Sequence, residues 1–143
     1  MRILKLAAFA AVIVACPETA SAQWWKPASI STETRIVAHP AGCPRRLFCG
    51  CGVSVRVFGR PVRHLYLARN WMTYPKTSPK KGAVAANRRH VMFIEHYLGG
   101  NRAVVYDPNS GGRKTRIHVR DLKGYKIVDP TAGTHKKYVN LRN

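Results

Sequence analysis

Valine occupies alternate positions at Val53, Val55 and Val57, in a segment that opens with Cys49 and Cys51. Alternation predicts a strand, and β-branched residues favour one locally. Val53, Val57 and Phe58 also share one helical face, so the pattern of residues 49–58 fits either element. The next segment is clearer. Across residues 63–72, Leu65, Ala68 and Met72 fall at i, i+3 and i+7, with Leu67 and Trp71 beside them, which predicts a helix. Pro75 stops it, and residues 76–82 read as a polar, proline-containing loop.

A run of strands is predicted beyond that loop. Residues 82–87 are small and apolar. Residues 90–98 carry Val91, Met92, Phe93 and Ile94. Gly99-Gly100-Asn101 is a hairpin signal, and residues 103–107 read as the return strand. Asn109 to Gly112 is a second turn, because asparagine and glycine tolerate positive φ. Residues 114–119 alternate basic with apolar or small side chains, as a half-exposed strand does, and residues 125–128 read as a last short strand. One helical segment, an ambiguous one and several consecutive strands make the fold class α+β.

The ends of the chain read differently. Arg2 and Lys5 precede the apolar stretch 6–15, which is too short to span a bilayer. Ala20-Ser21-Ala22 follows as a small-residue cleavage site, so residues 1–22 are expected to be a signal peptide cut after Ala22. A lipoprotein signal ending at Cys16 is the rival, disfavoured by Pro17. Residues 23–42 are expected to form an extended arm or linker bearing Trp24 and Trp25, residues 43–130 one domain, and residues 131–143 a basic tail. No later stretch is long and apolar enough for a membrane helix. The expected location is therefore periplasmic or secreted.

Charge narrows the partners. The chain carries 25 lysines and arginines against six acidic residues, a net charge of +19. That excess favours anionic partners such as peptidoglycan or another polymer of the cell envelope. The basic residues are scattered as pairs (Arg45-Arg46, Lys80-Lys81, Arg88-Arg89, Lys136-Lys137), which disfavours a dedicated nucleic-acid groove.

Export also changes how the cysteines read, because disulfides persist outside the cytoplasm. Cys43, Cys49 and Cys51 would remain after cleavage, an odd number, so at least one stays unpaired within the monomer. A bridge from Cys43 to either member of the pair frees the other. Zinc is disfavoured, because a single residue separates Cys49 from Cys51, and no metal or organic cofactor is expected.

The order of residue types then suggests a chemistry. Cys49 is the candidate nucleophile, with Cys51 as the alternative. His90, at the start of a strand, is the candidate base, since imidazole exchanges protons near neutrality. Asn109 is the candidate for orienting the ring, with Asp107 supporting it at the end of the paired strand. A thiol nucleophile acts as its thiolate, which a helix start and a neighbouring imidazole both favour. Gly50 would let a substrate approach the backbone N–H groups of an oxyanion hole.

Phe48-Cys49-Gly50, Leu67-Ala68-Arg69-Asn70-Trp71, Gly82-Ala83-Val84, His90-Val91 and Asp107-Pro108-Asn109-Ser110-Gly111 together resemble small exported cysteine hydrolases of the NlpC-like and CHAP type. The resemblance spans roughly residues 43–130. It implies a papain-like α+β core, with N-terminal helices packed on a small antiparallel sheet, and favours a helix over residues 49–58. It also implies Cys49 as nucleophile, His90 as base, Asn109 as the orienting residue, and peptide or amide bonds of peptidoglycan as substrate. Cys51 and Arg89 depart from the family pattern. The alternative expectation is therefore a catalytically degenerate, basic, disulfide-containing binding or structural protein.

Overall fold

The computed structural model describes residues 29–132. The expected signal peptide, Trp24, Trp25 and most of the basic tail lie outside them. Six strands form one antiparallel sheet: β1 (Arg35–Val37), β2 (Val84–Ala86), β3 (Val91–Gly99), β4 (Arg102–Ser110), β5 (Lys114–Asp121) and β6 (Lys126–Val128). Their order across the sheet is β1-β5-β4-β3-β2-β6. The central β3–β4–β5 meander follows from two short turns. Gly99 and Gly100 supply positive φ at the first, and Asn109 (φ 59°) and Gly112 (φ 71°) do so at the second. β1 lies inside the segment expected to be an extended arm and closes one edge by pairing Ile36 with Arg116.

Two helices pack on this sheet, α1 (Cys49–Phe58) and the single turn α2 (Ala68–Trp71). The ambiguous valine segment is α1. Tertiary packing decides against local strand preference here. Cys49 and Val53 are buried in one cluster with Leu65, Trp71, Val84, Ala86 and Val91, and Val57 packs against it. Positions 49, 53 and 57 form a helical stripe. Gly59 ends the helix in the left-handed region and donates its N–H to the Val55 carbonyl.

The continuous helix expected over residues 63–72 is not formed. A 3-10 turn (Arg63–Tyr66) is separated from α2 by Leu67, which is extended at φ −81°, ψ 119°. Local acceptors are diverted from a helical ladder. The Leu65 carbonyl takes the Trp71 indole N–H at 2.8 Å, and the His64 carbonyl takes the Asn70 amide at 2.5 Å. The break turns Leu67 to solvent and buries Leu65, Ala68 and Trp71 at three-residue spacing.

Because side chains alternate along a strand, the sheet carries a core on each face. Val84, Ala86 and Val91 meet the helices. Ala85, Met92, Ile94, Ala103 and Val105 form the second cluster with Leu122. The helix-facing cluster sets α1 across β3 and β4, with its first turn at the end of the sheet where β3 begins.

Candidate active site

The first turn of α1 is packed by glycine. A Cβ on Gly50 would lie 2.1 Å from the Leu65 carbonyl oxygen and 2.4 Å from that of Tyr66. One on Gly52 would lie 2.5 Å from the Pro108 side chain. These close approaches seat the helix start between the 63–66 turn and β4. They also correct the expectation for Gly50: the protein's own carbonyls, rather than a substrate, occupy the space its missing side chain leaves.

Cys43 and Cys51 form a disulfide, and among the described residues Cys49 is the free thiol. Cys51 is thereby removed as a nucleophile while the bridge stands. The bridge ties the loop before α1 to its first turn. Cys49 opens the helix and is 6% exposed. No side chain caps this terminus, so the first-turn N–H groups are left for another acceptor beside the sulfur.

His90 directly precedes β3. The Asn87 side chain fixes the bend before the strand by accepting the Arg89 and His90 backbone N–H groups, each at 2.8 Å. Asp107 lies on β4, one strand over, with its side chain 1% exposed. His90 Nε2 and Asp107 Oδ1 are 2.5 Å apart. An ionised carboxylate only accepts hydrogen bonds, so Nε2 carries the proton. Cys49 acts on the same ring from the start of α1 and helps to raise its pKa. With Nε2 held by Asp107, Nδ1 is the nitrogen left for sulfur.

Electrostatics follow from this contact set. Burial of the ring works against a charged His90. The Asp107 hydrogen bond and the Cys49 interaction outweigh it and raise the pKa from 6.5 to about 9. Burial likewise pushes the Asp107 carboxyl up, but hydrogen bonds from His90 and His118 and the charge of Arg120 bring it below the ordinary carboxylate value. At neutral pH the arrangement therefore favours an imidazolium at His90 beside the Asp107 carboxylate.

Three of the four expected site residues thus converge: Cys49, His90 and Asp107. The orienting contact on His90 comes from Asp107. Asn109, the residue expected to make it, sits at positive φ in the irregularity where β4 pairing shifts between Asp107 and Ser110. No hydrogen bond from its side chain to His90 is found among the described residues. Its short polar side chain suits that left-handed turn.

One participant was not foreseen. His118 on β5 places Nε2 2.9 Å from Asp107 Oδ2. Its only trace in the sequence is the alternation that puts Arg116, His118 and Arg120 on one face of a strand. The register that brings that face to Asp107 is not readable there. No family model, curated protein or solved structure matches this chain.

Proposed function

We propose that the protein is an exported thiol hydrolase that cleaves peptide or amide bonds of cell-wall peptidoglycan, on a papain-like core related to the NlpC-like and CHAP enzymes. The observation that carries the reading is one imidazole, His90, bonded to a buried carboxylate and raised in pKa by a free cysteine at a helix start. These are the parts a cysteine hydrolase needs in mutual reach.

In this proposal the residues take the following steps. Cys49 attacks the scissile carbonyl as its thiolate, forming a C–S bond, and the carbonyl oxygen takes up negative charge. The uncapped first turn of α1 provides N–H donors for that oxyanion. The His90 imidazolium gives its Nδ1 proton to the leaving amine as the C–N bond breaks, which leaves a thioester. Neutral His90 then takes a proton from water, which attacks the thioester and releases the acid and Cys49. Asp107 holds the ring by Nε2 throughout and stabilises its charged form.

Surface charge supports an anionic substrate. Arg45 and Arg46 precede α1, and Arg88 and Arg89 precede His90. All four are exposed, and none makes an ion pair among the described residues. The envelope location rests on reading residues 1–22 as a signal peptide.

Digestion of purified peptidoglycan, followed by chromatography of the released fragments, tests the proposal. Wild-type protein should release fragments, while Cys49→Ala and His90→Ala should release none. Cys51→Ala should retain activity wherever the protein stays folded. Equal release by wild type and Cys49→Ala would overturn the assignment.

The burial of Cys49 favours a second reading, a basic envelope-binding protein that keeps the site without turnover. It predicts unchanged sedimentation with peptidoglycan in the Cys49→Ala variant and no fragments from any form.

A further inference from the structure

Asp107 is gripped from two sides, and the reaction above uses only one of them. Its carboxylate is almost wholly buried, so each oxygen needs a donor. Oδ1 meets His90 and Oδ2 meets His118. We propose that His118 is a positioning residue of the site: its Nε2–H anchors Oδ2 of Asp107 and so keeps Oδ1 aimed at His90 Nε2. Its catalytic consequence rests on the hydrolase reading. The anchor itself is a matter of how β4 and β5 pair.

The register makes the anchor. Arg116 lies opposite Asp107, and His118 lies opposite Val105, two residues along on the same face. His118 therefore reaches Asp107 diagonally, a span open to a long or aromatic side chain. Such an anchor is needed because the terminal torsion of an aspartate is broad. A single bond to His90 leaves the carboxylate free to swing. A second bond, from a ring on the neighbouring strand that is only 15% exposed, removes that freedom.

A competitor stands nearby. Arg120 Nη1 is 4.0 Å from Oδ2 and is the more exposed partner. Without His118, the Arg120 guanidinium is placed to draw the carboxylate away from His90. The ionisable groups bearing on Asp107 are then Arg120 on β5 and His90 before β3, with Cys49 of α1 behind His90; Arg116 lies opposite in register, but its guanidinium donates to the Gly111 carbonyl. From β1, Ile36 pairs with Arg116 and adds no charge. The carboxylate thus has two imidazoles to hold its aim and one cation to spoil it.

The test is an NMR titration of the histidine rings in the folded full-length chain, for wild type, His118→Phe and His118→Gln. The wild-type His90 midpoint is expected near 9. In His118→Phe it should fall by about one unit or more, as the carboxylate turns from His90. His118→Gln presents an amide N–H close to the place of Nε2 and should restore the midpoint. A midpoint that is unchanged or raised in His118→Phe overturns the proposal.

A second measurement covers a His118→Phe chain that fails to fold. Wild-type His118 should show a downfield, slowly exchanging Nε2 proton that disappears in Asp107→Asn, and its absence from wild type overturns the anchor. Neither readout needs a substrate. A protein that shows the His118-dependent shift yet cleaves no peptidoglycan would sink the hydrolase reading and keep the anchor. Cleavage without the shift would do the reverse.

Discussion

Cys49, His90 and Asp107 are ordinary residues until their protons are counted. Asp107 can only accept, so it fixes which nitrogen of His90 is protonated and which faces sulfur. The raised His90 pKa sets an alkaline limit. On the hydrolase proposal, turnover should fall as pH rises through about 9, because the proton destined for the leaving amine is then lost. A rate profile from pH 6 to pH 10 checks this, and a profile still rising at pH 10 contradicts it. Asp107→Asn should keep the shape but misplace the ring proton, with a loss of about 10²–10⁴-fold in kcat.

The same contacts bear on stability. His90 is held above its unfolded value of 6.5, so its contribution, roughly 3 kcal/mol, is complete below pH 6.5 and vanishes as pH rises through about 9. Asp107 is depressed, so its contribution is present above the unfolded carboxylate value and is lost as pH falls through the folded one. Denaturant midpoints should therefore decline at both extremes, and His90→Ala should remove the alkaline decline.

At the scale of elements, the first turn of α1 governs the site. Gly50 admits the 63–66 carbonyls, so Gly50→Ala forces helix and turn apart. It should cost about 1–3 kcal/mol by thermal or urea unfolding and lower activity with it. The Cys43–Cys51 bridge closes a short loop onto that turn. Its loss in Cys43→Ser should cost roughly 2–3 kcal/mol in the chain-entropy picture. Cys43→Ser also frees Cys51, so thiol labelling should gain one site over wild type.

Over the whole molecule, one antiparallel sheet carries helices on one face and a small second core on the other, and the reactive groups gather at the end where α1 begins. The net charge of +19 acts at this scale. If peptidoglycan is the proposed anionic partner, sedimentation with it should weaken steeply as salt rises from about 0.05 to 0.5 M, because screening shortens the reach of surface charge. Salt-insensitive binding would show that contact chemistry, not charge, holds the two together.

Several features were legible in the chain because they depend on neighbours in sequence. Glycine and asparagine mark the turns of the meander by their tolerance of positive φ, and the apolar runs mark β2 to β6. The odd number of cysteines expected after cleavage at Ala22 implied at least one unpaired thiol, and Cys49, His90 and Asp107 were all among the candidate residues, with Asn109 expected to orient the ring. Other features depend on partners far along the chain. Whether the valine segment coils or extends was decided by the sheet beneath it. Leu67 broke the expected helix because the carbonyls before it found side-chain donors. Cys51, not Cys49, met Cys43. Asp107 displaced Asn109 at His90, and His118 joined, because strand register is a contact between segments and leaves no mark within either one.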